Sequence, residues 1–208
     1  MNDFTATSAG LAAPASRPRH LRFDASGTLL VSTDLHGNGE DFRRLEHLFL
    51  EHLQRDPKTE WLLLGDLVHG PDVVSARDEP ALYGYWDESA WIVKRLTRLM
   101  RAYPNKIHMI LGNHDYAHIG GDRTRKFHDD EASHLESQLN PEAYRDLCAL
   151  FERAYLAAST PSGLLLTHGQ ASPRSPARRG HARRRAHAPL ARARRTPFIL
   201  RRRGGHHA

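Results

Sequence analysis

The chain has 208 residues, a formal net charge of +6 and 39% hydrophobic residues, enough for one domain with a proper core and not clearly for two. No run approaches the roughly 18 consecutive apolar residues of a membrane span, and a lone cysteine, Cys148, excludes an internal disulfide and suits a reducing, cytoplasmic setting. The charge is divided: residues 171–208 hold 12 arginines and no Lys, Asp or Glu, which leaves 18 basic against 24 acidic residues in 1–170 and excludes general nucleic-acid affinity for the body.

Residues 1–20 are small and polar, with no continuous apolar core, and read as a flexible leader rather than a secretory signal. Leu21 to Phe23 and Thr28 to Thr33 read as strands joined by a turn at Ala25-Ser26-Gly27. Phe42, Leu45, Phe49 and Leu53 recur at helical spacing, and Trp61 to Leu64 form a second buried strand. Residues 71–87 read as an irregular loop, in which Tyr83, Tyr85 and Trp86 either line a groove or pack the loop. Trp91, Leu96, Leu99 and Tyr103 mark another helix, stopped by Pro104-Asn105. Ile107 to Leu111 is the next strand, and 116–140 is polar and aperiodic. Pro141 opens a helix with the apolar stripe Tyr144, Leu147, Phe151 and Tyr155, and Gly163 to Leu166 is the fourth strand. Strands alternating with helices over 21–170 indicate an α/β domain. Residues 171–208 lack an apolar period and are expected to be a disordered Arg-rich tail.

Each apolar strand ends in side chains that bind metals: Asp34-Leu35-His36-Gly37, Gly65-Asp66, Gly112-Asn113-His114-Asp115 and Thr167-His168-Gly169. Such tips are expected at the same ends of neighbouring strands, where open α/β sheets place their sites. Asp34 and His36 can share one divalent cation, and the two carboxylate oxygens of Asp66 can reach two. Asn113 adds an amide oxygen and His168 an imidazole. This mixed set suits Mn, Fe or Zn better than Ca or Mg. A cation pair can clamp the attacking and departing oxygens at phosphorus and supply a bridging hydroxide. His114 is assigned to proton donation, with Asp115 or Asp72 as the carboxylate that orients it. His108, inside a strand, reads as a satisfied core histidine; His69 and His118 read as solvated loop residues.

The series Asp-Leu-His-Gly, Gly-Asp, Gly-Asn-His-Asp and Thr-His-Gly resembles the calcineurin-like metallophosphoesterases, especially their serine/threonine protein phosphatase-like branch. The resemblance covers about residues 21–170. It implies a two-sheet sandwich flanked by helices, with Asp34, His36 and Asp66 on one metal and Asp66, Asn113 and His168 on the other. It also implies hydrolysis of a phosphorylated substrate with His114 as proton donor; a phosphomonoester is favoured over a diester, and no membrane partner is expected. Two departures stand out. The family continues Gly-Asp-x-Val-Asp-Arg-Gly where this chain reads Gly65-Asp66-Leu67-Val68-His69-Gly70, so the orienting Asp and the phosphate-gripping Arg are missing there; Arg77, Arg123 and Arg125 are the candidate replacements. The family's later Gly-His strand end has no counterpart after a strand-like run, since Gly180-His181 and Gly205-His206 match only in letters. The tail reads in three ways: a nucleic-acid-binding arm, a solvated extension, or a shifted reading frame. Beside the enzyme stand two alternatives, a truncated relative without activity and a nucleic-acid-binding protein acting through the tail.

Overall fold

The computed structural model describes residues 18–169 and 198–202. In chain order, β1 (His20–Arg22), β2 (Gly27–Ser32), α1 (Gly39–Arg55), β3 (Glu60–Leu63), α2 (Val73–Asp78), α3 (Pro80–Tyr83) and α4 (Ser89–Ala102) lead to β4 (Ile107–Met109). There follow α5 (Asn113–Tyr116), a 3₁₀ turn, α6 (Glu131–Glu136), α7 (Pro141–Glu152), β5 (Ala157–Ser159), β6 (Leu165–Leu166) and β7 (Phe198–Arg202). The larger sheet has the order β4-β3-β2-β7 and the smaller one β1-β5-β6. β2, β3 and β4 run parallel, as the intervening helices require, and β7 closes on β2 antiparallel.

Alternation along β2 divides the interior into two layers. Leu30 joins Trp61, Leu63 and the helices, whereas Leu29, Val31 and Leu62 face Phe23 and Ala158 of the smaller sheet. Both faces of the parallel strands are therefore covered, which is why they read as continuous apolar runs. Phe42 and Phe49 of α1 pack fully buried against Trp61, each worth about 2–3 kcal/mol of apolar burial. α4 adds Ile92, Val93, Leu96 and Leu99, and α7 adds Leu147, Leu150 and Phe151. Asn38 and Asn140 cap α1 and α7, accepting from Asp41 N and Ala143 N.

The α/β class and the sandwich expected from the motifs are present, with four departures in detail. Residues 71–87 contain two short helices, since Asp72 caps α2 and Pro80 starts α3. Residues 116–140 contain α6, held by the Asp130 cap. β5 is too short and alanine-rich to stand out in sequence; it exists because β1 offers it a parallel partner. Tyr155 lies beyond α7, bridging Ile110 instead of extending the helical stripe. The disordered reading of the tail is corrected at Phe198–Arg202: an apolar Phe-Ile-Leu triplet gives β2 the edge partner its backbone needs. The rest of the tail, including Gly180-His181 and Gly205-His206, and residues 1–17 of the leader lie outside the described residues. Among the described residues no helix is long and apolar enough to cross a membrane.

Candidate metal centre

Parallel pairing of β2, β3 and β4 brings the segments after their C-terminal ends side by side. The two segments after β2 and β3 zip together: Asp34 N donates to Gly65 O (3.1 Å), His36 N to Asp66 O (2.9 Å) and Gly37 N to Leu67 O (3.0 Å). Asp34, His36, Asp66 and His69 all take positive φ, from 45° to 70°. Side chains other than glycine adopt that region infrequently, and it concentrates at functional sites. The close approach also explains one glycine: a Cβ on Gly112 would stand 2.2 Å from Asp66 N and 2.3 Å from its Oδ1.

Five of the expected ligands converge. His36 Nε2 lies 3.8 Å from Asp34 Oδ1 and 3.7 Å from Asp66 Oδ2. On the other side of the same carboxylate, Asp66 Oδ1 is 3.3 Å from His168 Nε2, which is 3.1 Å from Asn113 Oδ1. Asp66 and His36 are buried, Asp34 is half-buried and Asn113 is exposed, so the group opens to solvent on one side. One expectation is corrected here. His168 does not arrive from a fourth strand of the same sheet; it follows β6 of the smaller sheet and reaches across, with its Nδ1 donating to Leu64 O at 2.7 Å. That bond leaves Nε2 facing Asp66 and Asn113.

The electrostatics favour ligands over solvated charges. Burial and the Lys126 ammonium lower the His36 imidazole to about 4, which keeps it neutral and able to coordinate. The hydrogen bond to Asp66 raises His168 to about 9. Burial alone would raise the Asp66 carboxyl, but the bond from His168 and the nearby His114 hold it below its ordinary value. The ionised Asp66 carboxylate thus has an imidazole nitrogen on each side, His36 Nε2 at Oδ2 and His168 Nε2 at Oδ1. The N/O donors present thus fit the divalent metals implied by the motifs.

Neither Asp115 nor Asp72 orients His114. Asp115 is fully buried and accepts from Asp66 N (2.8 Å), Leu67 N (2.9 Å) and Gly112 N (3.0 Å), fastening the β3 tip to the β4 tip. Burial and the charge of Asp66 push its carboxyl up to about 7. Asp72 caps α2 through Ser75 N. The carboxylate beside His114 is Glu131, whose Oε2 lies 3.3 Å from Nδ1. His69 and His118, expected in solvent, are buried behind it because they satisfy one another: His69 Nε2 meets His118 Nε2 at 2.9 Å, and His118 Nδ1 meets Glu136 at 2.8 Å. His108 is the core histidine it was expected to be, paired with Glu60 at 2.8 Å.

Two of the three expected arginines are engaged elsewhere, and the third, Arg125, is exposed. Arg77 donates to Asp78, and Arg123 to Asp130 and Ser133. The cation at the centre is Lys126, with Nζ 3.3 Å from His36 Nε2 and lying over the Phe127 ring. Glu131 and Lys126 escaped sequence reasoning because 116–140 has no period to orient its side chains. The one hint was its density of titratable groups.

The calcineurin-like phosphoesterase family profile matches residues 27–195. Solved structures similar to the chain include a serine/threonine phosphatase from Saccharomyces cerevisiae (19% identity, TM-score 0.44, 73% of this chain and 42% of that one). Others are a metallophosphoesterase from Sphaerobacter thermophilus (21%, 0.32, 64% and 43%) and a cold-active protein-tyrosine phosphatase from a psychrophilic Shewanella (15%, 0.40, 81% and 51%). The chain spans about half or less of the length of each. No curated protein matches it.

Proposed function

We propose that this chain, which belongs to the calcineurin-like phosphoesterase family, hydrolyses a phosphate ester at the centre beyond β2, β3 and β4, with a phosphomonoester as the preferred class. The observation that carries this reading is the division of Asp66: Oδ2 faces His36 Nε2 at 3.7 Å and Oδ1 faces His168 Nε2 at 3.3 Å. Asp34 and His36 complete one donor group and Asn113 and His168 the other, so the five residues would hold a pair of divalent ions drawn from Mn, Fe and Zn. Bound there, such a pair acidifies water and neutralises charge on phosphoryl oxygens.

The chain's own residues do the remaining work. Lys126 stands at the centre with its ammonium 3.3 Å from His36 Nε2, where it would meet a phosphoryl oxygen of a bound ester. A terminal phosphate carries two negative charges, and this extra lysine favours it over a diester. Phe127 and Tyr83, 5.1 Å apart as an edge-to-face pair, wall that side. His114, buried and edge-on to the His36 ring at 4.7 Å, donates the proton to the leaving oxygen.

Asp66→Asn tests the reading directly. It should abolish manganese-stimulated hydrolysis of an aryl phosphate and release metal from the strand tips. Wild-type turnover in that variant rejects the assignment. Lys126→Ala should raise KM for the aryl phosphate about tenfold, the loss of one charge-assisted contact, while changing kcat less; an unchanged KM removes lysine from the phosphate site.

A further inference from the structure

We propose a second metal site, buried behind the strand tips, in which His69 Nδ1, His114 Nδ1, Glu131 Oε2 and Thr124 Oγ1 bind one zinc-class cation tetrahedrally. It does not rest on the phosphoesterase reading and shares no carboxylate with the Asp66 centre.

The distances carry the argument. Tetrahedral zinc bonds of about 2.0–2.1 Å place neighbouring ligand atoms about 3.3–3.4 Å apart. Here His69 Nδ1 and His114 Nδ1 are 3.0 Å apart, and Glu131 Oε2 lies 3.3 Å from the second and 3.9 Å from the first. Thr124 Oγ1 is 3.3 Å from His69 Nδ1 and 3.2 Å from His114 Nδ1. Four of these five edges lie close to that spacing, and the fifth, the 3.9 Å from Glu131 to His69, is about half an ångström too long. Two neutral imidazoles, one carboxylate and one hydroxyl form a set that suits zinc rather than calcium or magnesium.

An independent observation points the same way. The Glu131 side chain is completely buried; its Oε1 accepts from Phe127 N at 3.1 Å, yet Oε2 has no hydrogen-bond partner. An orphaned carboxylate oxygen in the interior is strongly unfavourable unless a positive charge meets it. The groups behind the site set the right tautomer. Glu136 accepts from His118 Nδ1, which leaves His118 Nε2 to accept from His69 Nε2. His69 Nδ1 then carries the lone pair, facing His114 Nδ1 and Thr124 Oγ1. Such hydrogen-bonded backing is the usual companion of a ligating histidine.

Cobalt(II) provides the test, because tetrahedral cobalt absorbs visible light far more strongly than octahedral cobalt. The full chain carrying Asp66→Asn, which disables the strand-tip centre, should still bind one equivalent of cobalt with intense absorption and gain thermal stability from zinc. Adding Glu131→Gln, or separately His69→Gln, should remove both signals while the folded circular dichroism persists. The proposal is overturned if Asp66→Asn alone binds no cobalt, if its cobalt is octahedral, or if either added substitution leaves the tetrahedral spectrum intact. In those cases the cluster is a hydrogen-bonded relay around an unsatisfied carboxylate.

Discussion

Three backbone N–H groups converge on Asp115, and all belong to segments that carry ligands: Asp66, Leu67 and Gly112. Position 115 was expected to serve catalysis; its carboxylate instead fixes the distance between two ligand-bearing tips. Asp115→Asn puts an amide NH₂ against at least one of those donors and should cost about 1–3 kcal/mol, read as a lower urea midpoint. A midpoint equal to wild type would show that the fastening is dispensable. His114 behaves differently under substitution. His114→Gln should cut turnover of an aryl phosphate by about 10²–10⁴-fold while two equivalents of metal remain at the Asp66 centre. Loss of that metal would recast His114 as one of its ligands.

Among elements, what was legible in the sequence and what was not divides by the kind of signal. α1, α4 and α7 were legible because a 3.6-residue apolar period survives any surroundings, and β2 and β3 because both faces are covered, so that Leu29 to Val31 and Trp61 to Leu63 form unbroken apolar runs. The convergence of Asp34, His36, Asp66 and Asn113 followed from the parallel strand order alone. β5, β7 and the route of His168 did not, because each depends on a partner remote in sequence: β1, β2 and the Leu64 carbonyl. Glu131 was missed for the same reason, since its role is defined by His114 and His69 and not by its own neighbours. Capping is the local signal easiest to check. Asn140→Ala removes the bond to Ala143 N (2.8 Å) and should lower stability by about 1 kcal/mol; no change in thermal midpoint would mean that Pro141 alone fixes the start of α7.

Taken whole, the protein buries several ionisable groups whose protonation differs between folded and unfolded states. His36 at about 4 and a depressed His69 bind protons less well when folded, so stability rises with pH between about 4 and 6.5. Asp115 at about 7 works in the opposite sense between 3.8 and 7, one group against two. His168 at about 9 binds its proton more tightly when folded, so stability falls from 6.5 toward 9. With metal chelated, the thermal midpoint should therefore peak near pH 6–7; a midpoint still climbing at pH 9 would contradict the His168–Asp66 pairing.

The parallel register of β1 with β5 carries a temporal consequence. His20 to Arg22 lie beside Ala157 to Ser159, so during synthesis this strand lacks its β5 neighbour until well over a hundred further residues have been made. The proposed ligands at 34, 36 and 66 leave the ribosome long before those at 113 and 168, so a nascent chain assembles the proposed donor set in two stages. Pulsed proteolysis of chains stalled at increasing lengths should find residues 20–22 vulnerable until position 159 has cleared the exit tunnel, and shielded thereafter.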